Sequence, residues 1–503
     1  MKNIQYASFD KLKAIPFQIL PLLFLIVYLL FPTQNSTVDG YAYACHVKFG
    51  ETLFQSHHLL YSFFGYVWYN FVAVLGINLD VLGTLKVMNA LSASVSLLLL
   101  GCILMLLFNS KTKTLAWVFF VGSTWGVMRF ATENETYLLP IMFSLAGSLF
   151  YLKFINNPKI KFLLLSGSFA AVACLFHQIH FFWWFALLIG LLLQRQVKNA
   201  ILYVIPALIV PLAYIIAAFV YYNNPVEFSS LLQFVLRDFY SGTANVATGL
   251  TSVVFTAMSF FRTFLQVHGY IFVLIKVQPF YILGLAIPFA LFVVAMLFLR
   301  SISFSFKTHT KTFFIPHVIA FLLQFVFAFL SSGNAEFMVM LPFLLALTLP
   351  FIVSIEARVV SYIAAGMLIW NIALGVLPLR NGVLDSSEMM ANKVLYADDG
   401  TNFFICYNKP HIECIVYYEK GEMPSNVVSG TNKGDGNELK AKMKSLLQEG
   451  VAIYTDCLNR PKTLSRASIL IENRDDIFDG YSLVKVDSVE TISGRFYLMQ
   501  VKP

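Results

Sequence analysis

Long apolar runs separated by short polar joints organise most of the chain. A membrane-spanning helix needs about 20 apolar residues, and the run at residues 14–31 meets that requirement. Ten further runs follow at 87–108, 115–130, 137–155, 162–176, 181–193, 200–221, 279–299, 313–330, 337–355 and 359–378, which predicts eleven spans in all. The runs at 162–176 and 181–193 are short and are expected to tilt or break. No small-residue cleavage site follows 14–31, so it reads as an uncleaved first span. The run 59–77 has the length to cross. Its Tyr, Trp, Asn and Gly residues favour the interface, so it reads as a segment lying on the membrane surface. Beyond 380 the pattern changes. Strand-like runs (FFICYN, ECIVYY, VAIYTDC, SLVKVDSV, RFYLMQVK) surround one helical segment, NELKAKMKSLLQEG. They predict a small α/β domain over 381–503, with a flexible loop at 425–437.

Composition agrees with this division. Of the 503 residues, 58% are hydrophobic and 12% charged, against roughly 25% charged in an ordinary soluble domain. A soluble globular enzyme, a disordered chain, a collagen and a small disulfide scaffold are all excluded. Residues 1–380 hold 21 Lys/Arg and 10 Asp/Glu, whereas 381–503 hold 14 and 17. The basic balance therefore reflects lysines at the ends of membrane helices and gives no reason to expect nucleic acid. With 59–77 on the surface and the N-terminus cytoplasmic, 14 Lys/Arg fall inside (among them Lys2, Lys11, Lys13, Arg300 and Lys307) and 7 outside. A spanning 59–77 would reverse that bias. The tail then lies on the extracytoplasmic face, and the expected host membrane is a bacterial inner membrane.

This topology puts Asp39, Glu51, Asp80, Glu133, Glu135, Glu227, Asp238 and Glu336 on or near the outer side, with His46, His57, His58, His177, His180 and His268. Ionisable groups at a membrane boundary are costly and mark functional sites. The cytoplasmic loops are too short for a nucleotide-binding domain, and no Walker A or G-x-G-x-x-G sequence follows a strand pattern. Chemistry on the outer face then needs a donor that arrives in the membrane already activated. The long outer segments are 32–86, 222–278 and the tail. Within them, 223–268 reads as amphipathic helices around a flexible centre.

The first outer loop, TVDGYAYACHVKFGETLFQSHHLLYSFFGYVWYNFVAVLG, places Asp39 just past span one and opens an amphipathic segment with His57–His58. A later loop, RFATENETYLLPIMFSLAGSLFYLKF, carries Glu133 and Glu135 before span four. A third, SSGNAEFMVMLPFLLAL, sets Glu336 ahead of Pro342. In order and spacing these resemble the loops of GT-C fold integral-membrane glycosyltransferases, and most of all the protein O-mannosyltransferase and aminoarabinose-transferase branch. His58 is followed by Leu59 where the family has Pro, and Asp39 by Gly40 where it has a second acid.

The resemblance implies an α-helical polytopic membrane protein of about 11 transmembrane helices. Its GT-C-like catalytic module would cover 1–380, with the tail beside it. It implies transfer of a sugar from a polyprenyl-phosphate donor to an acceptor hydroxyl on a protein, glycolipid or polysaccharide, with inversion. Asp39 is then the expected general base, made more basic by burial, with Glu135 the second catalytic acid. The leaving phosphate needs cations or donors, for which Lys48, Arg129, Arg237, Arg262, Lys276, His57 and His58 are candidates. Glu133 and Glu336 are expected beside the substrate. A divalent cation, Mg or Mn, held by Asp39 and Glu135 is compatible with the same acids.

His177 and His180 sit three apart in FHQIHFFWW. On a helix they would share a face, as metal ligands or, more simply, as a polar belt at the interface beside Trp183 and Trp184. Among the six cysteines, Cys406 and Cys414 flank a turn and are placed to pair across a hairpin. The sequons at Asn35 and Asn134 read as coincidental. Two rivals remain at this point. One is a non-catalytic subunit with a degenerate transferase fold. The other is a lipid-linked sugar transporter, which should show mid-membrane charges and internal repeats, and neither is evident.

Overall fold

The computed structural model describes residues 16–242, 246, 248–299, 303–304, 311–397, 401–431, 436–461 and 475–503. Lys2, Lys11, Lys13, Arg300 and Lys307, which entered the charge count, lie outside them. The chain divides into two compact units, one of residues 1–32, 52–266 and 284–375, the other of 33–51, 267–283 and 376–503.

The first unit is helical. Among the described residues, seven helices of the chain are long and apolar enough to cross a membrane, and four shorter apolar helices accompany them, which makes this an integral membrane protein. A helix forms within each of the eleven apolar runs. The run expected at 87–108 begins earlier, at Val81, because Asp80 caps it: its carboxylate accepts the Gly83 N–H at 2.8 Å. Helices Leu138–Asn156 and Ile160–Phe176 approach closely at Gly147, where a Cβ would lie 3.2 Å from the Ser166 carbonyl. Ser166 Oγ donates back to the Gly147 carbonyl at 2.8 Å. Small residues give membrane helices this close backbone approach. Pro206 and Pro211 divide Val197–Tyr221 into α, 3-10 and π stretches.

One expected span is not continuous. The run 115–130 is two helices, Lys111–Gly122 and Trp125–Ala131, parted at Ser123–Thr124. Gly122 lies against the Phe24 ring, where a Cβ would meet it at 2.5 Å. The break frees the Ser123 carbonyl, which accepts from Asn371 Nδ2 at 2.8 Å. A buried acceptor must find such a partner, so the break is a built feature. The run 59–77, expected on the membrane surface, gives helix Tyr61–Val74. The 223–268 segment gives helices Phe228–Val235, Arg237–Tyr240 and Leu250–Phe264. Residues 243–245 and 247 of its expected flexible centre fall outside the described set.

The second unit is α/β. Its five-stranded sheet runs in the order Val427–Ser429, Asn402–Cys406, Ala452–Thr455, Gly494–Lys502, Ser482–Thr491. The first three strands are parallel and the last two form an antiparallel hairpin. Cores lie on both faces: Met390, Phe404, Ile412 and Val416 on one, Phe403, Met443, Ile453 and Val501 on the other.

Three expectations for the tail are corrected. ECIVYY is not a strand but the middle of helix Lys409–Lys420, which has Pro410 in its first turn and Gly421 at its left-handed C-terminus. Its buried residues are Ile412, Ile415, Val416 and Tyr418, and the spacing of three and four from Ile412 to Ile415 and Val416 is one that a helix turns to one side. Cys406 and Cys414 therefore cannot pair across a hairpin, and all six cysteines are free. The loop 425–437 contains strand Val427–Ser429, which joins the sheet edge parallel to Asn402–Cys406.

Candidate active site

In the first unit, the helix break before Trp125 delivers a short loop lined by acids. Arg129 lies in the last turn of helix Trp125–Ala131 and meets Glu133 one turn on, Nη1 to Oε2 at 3.1 Å. Glu133 is fully buried and also accepts the Asn134 N–H at 3.0 Å. The loop is fixed from helix Val81–Phe108, where the Asn89 amide donates to the carbonyls of Glu133 at 2.8 Å and Glu135 at 2.6 Å. Glu135 is 2% exposed. Tyr61 stands in its field: burial, then the negative charge of Glu135, push the phenol well above its usual range, while a hydrogen bond from Asn89 opposes them. Glu133, four residues on, thus takes the Arg129 guanidinium.

Beside this loop lies a chain of polar rings. Tyr137 OH donates to Glu336 Oε2 at 3.0 Å, and its ring lies 5.2 Å from that of His177. The His177 ring meets His58 edge to face at 4.3 Å. His57 Nε2 lies 2.9 Å from Asp238 Oδ1, and its Nδ1 lies 3.3 Å from Gln178 Oε1. Gln178 in turn donates to the Ser56 carbonyl, Tyr214 OH and the Val235 carbonyl at 2.9, 3.0 and 3.0 Å. Burial pushes His58 down to about 3, and the facing His57 adds to this. His177 is lowered well below its usual value, by burial first and then by His58.

His177 and His180 do not share a helix face. His177 caps a single 3-10 turn, Gln178–His180, that His180 ends, between two helices. They are 3% and 1% exposed, so they are buried groups and not an interfacial belt. Sequence reading missed His317. It is fully buried inside helix Lys311–Leu330, its ring nitrogens 2.6 Å from the Phe313 carbonyl and 2.8 Å from Ser148 Oγ. Trp183 Nε1 donates to the same Ser148 at 2.9 Å. The signal was a histidine within an apolar run. Arg237 and Arg262 are exposed, the first in the short helix Arg237–Tyr240 and the second in the last turn of Leu250–Phe264.

Asp39 belongs to the second unit. It lies in the first turn of helix Val38–Phe49, whose cap is Thr37, with Oγ1 accepting the Gly40 N–H at 2.9 Å. Asp39 is exposed, where the sequence reading expected it buried. The helix packs on Lys409–Lys420 through Tyr41 against His411, Cys45 against Cys414, and Phe49 against Tyr417. Lys48 donates to the Tyr418 carbonyl and sits 4.2 Å over its ring, so it is occupied within this packing. Lys276 is exposed at the end of helix Tyr270–Val277. Neither sequon is open: Asn35 is tied to Leu379, Gly382 and Leu384, and Asn134 is fully buried.

Among the described residues no three His, Cys, Asp or Glu side chains gather to hold a cation. Glu133 already balances Arg129.

No family model matches the chain and no curated relative matches it. Solved structures do. The crystal structure of ArnT from Cupriavidus metallidurans bound to undecaprenyl phosphate aligns over 96% of this chain and 97% of its own, at 10% identity and a TM-score of 0.50. The apo oligosaccharyltransferase of Archaeoglobus fulgidus aligns over 88% of this chain and 69% of its own, at 11% identity and a TM-score of 0.51. Both are GT-C fold proteins, and the chain shares that fold.

Proposed function

We propose that the protein is a membrane glycosyltransferase. It moves a sugar from a polyprenyl-phosphate donor to an acceptor hydroxyl on the extracytoplasmic face and inverts the anomeric centre. The supporting observation is the end-to-end likeness to a protein whose structure holds undecaprenyl phosphate, together with the buried, clamped acidic loop of the first unit. In this reading the protein sits in a bacterial inner membrane, N-terminus cytoplasmic and tail extracytoplasmic. The acceptor is a protein, a glycolipid or a polysaccharide.

The chemistry is a single displacement. The acceptor oxygen attacks the anomeric carbon and gives its proton to a carboxylate. The carbon–oxygen bond to phosphate breaks, and the lipid phosphate leaves with the electron pair. Asp39, exposed to an aqueous acceptor, is our candidate base. Arg237 and Arg262, both exposed, are our candidates for the leaving phosphate. Glu133 holds Arg129 in place, and Glu135 and Glu336 line the polar loop and ring chain.

The test is release of polyprenyl phosphate by the purified full chain, supplied with polyprenyl-phosphate sugars and acceptor. Asp39→Asn and Glu135→Gln should each lower turnover by at least 100-fold with melting temperature unchanged. Full turnover by both variants would sink the assignment. One observation favours the rival of a non-catalytic subunit: Lys48 and Arg129, two of the expected phosphate ligands, are already engaged. No turnover by the wild-type chain with any donor, alongside co-purification with an active transferase, would decide for it.

A further inference from the structure

The ring chain of the first unit carries polar atoms that the proposed transfer chemistry leaves unused. His177 Nδ1 accepts the Ile179 N–H at 3.3 Å, which leaves the ring proton on Nε2. That N–H finds no acceptor among the described residues. His180 Nδ1 lies 2.7 Å from Ser144 Oγ, and its Nε2 has no partner among the described residues either. Gln324, fully buried in helix Lys311–Leu330, donates through Nε2 to the Phe337 carbonyl at 2.5 Å and leaves Oε1 without a donor. Phe337 connects Gln324 to the two histidines. The His177 and His180 rings lie 6.4 Å apart, and the Phe337 ring, whose backbone holds Gln324, lies 6.4 Å from His177.

Buried polar atoms are almost always paired in native proteins. Three orphans linked through one run of contacts therefore call for a hydrogen-bonding partner from outside the chain. We propose that His177, His180 and Gln324 form a subsite for an uncharged, hydroxyl-bearing group. Resting on the transferase reading, that group is the sugar carried by the lipid donor.

The chemistry of the lining selects the class. The orphans supply a donor and an acceptor, as hydroxyls require. The walls are aromatic: Tyr137, Phe337, His58, and Trp183, whose ring is stacked with His180 at 6.4 Å. Apolar rings with a few convergent polar atoms are the usual lining of a small-molecule site. An anion is disfavoured, because the Arg129 guanidinium of this unit is held by Glu133, and a buried charge needs a counter-charge.

The experiment compares binding by the full chain of bare undecaprenyl phosphate with undecaprenyl phosphate carrying glucose, galactose or mannose, read by native mass spectrometry. The wild type should bind at least one sugar-bearing lipid tenfold or more tightly than the bare lipid. His177→Phe and Gln324→Leu should erase that preference while binding the bare lipid as before, which also shows that they fold. His177→Gln, which keeps a donor, should retain part of it. A preference unchanged in both apolar variants overturns the subsite and leaves trapped water as the occupant. A wild type that binds the bare lipid with no preference for any sugar overturns the subsite alone. A wild type that binds no lipid phosphate overturns the transferase reading with it.

Discussion

Asn89 holds Glu135 by its backbone, 2.6 Å from side-chain amide to carbonyl oxygen, and spans the Glu133 carbonyl with the same amide group. A single polar residue inside an apolar run thus fixes the position of two buried acids. Leaving buried acceptors unpaired costs about 1–3 kcal/mol. Asn89→Leu should therefore lower the apparent melting temperature in detergent by several degrees. It should also depress sugar transfer more than an equally destabilising core change, such as Leu97→Ala, does. Equal losses for both variants would reduce Asn89 to a packing residue.

The Arg129–Glu133 pair is buried on its acidic side and nearly so on its basic side. Removing one partner of such a pair leaves an uncompensated charge, at about 3–5 kcal/mol. Arg129→Met and Glu133→Gln should each destabilise strongly, and the double variant should recover much of the loss. Additive effects in a double-mutant cycle of thermal stability would contradict the pairing.

His58 and His177 are both held neutral by burial, His58 at about 3. In the unfolded chain a histidine takes up its proton near 6.5. Stability is therefore lost as pH falls below 6.5 and continues to fall toward 3, since only the unfolded state gains protons there. Thermal melts from pH 7 to pH 4 should show this slope, and His58→Gln should make it shallower. A slope unchanged by the substitution would place the acid sensitivity elsewhere.

Asp456 in the second unit has the opposite sign. It is buried, accepting from Ser386 Oγ at 2.6 Å and the Tyr407 N–H at 2.9 Å, with Arg460 at 3.8 Å. Burial raises its carboxyl above 3.8 despite Arg460 and these hydrogen bonds. The folded state then holds its proton longer, and the contribution of this group to stability declines as pH rises from about 3.8 through the raised value. Asp456→Asn should flatten that decline in melts between pH 3.5 and 6. A steeper decline in the variant would contradict the raised value.

How much of this was legible in the chain depended on the range of the forces involved. The eleven apolar runs, the polar tail and helix Gly436–Gln448 follow from local pattern, because transfer to a membrane and helix periodicity are properties of consecutive residues. The acids at 39, 133, 135 and 336 stood out by their rarity in an apolar sequence. The sequence could not show that Ser123–Thr124 would break a span, since the break depends on Phe24 and Asn371, both distant in the chain. It could not show that Arg129 is bound to Glu133, that Asp39 is exposed, or that ECIVYY coils against a sheet. Nor could it show that His177, His180 and Gln324 would be buried with unspent hydrogen-bonding atoms. Burial and pairing arise from contacts between remote segments, so packing decided them where the local pattern carried no record.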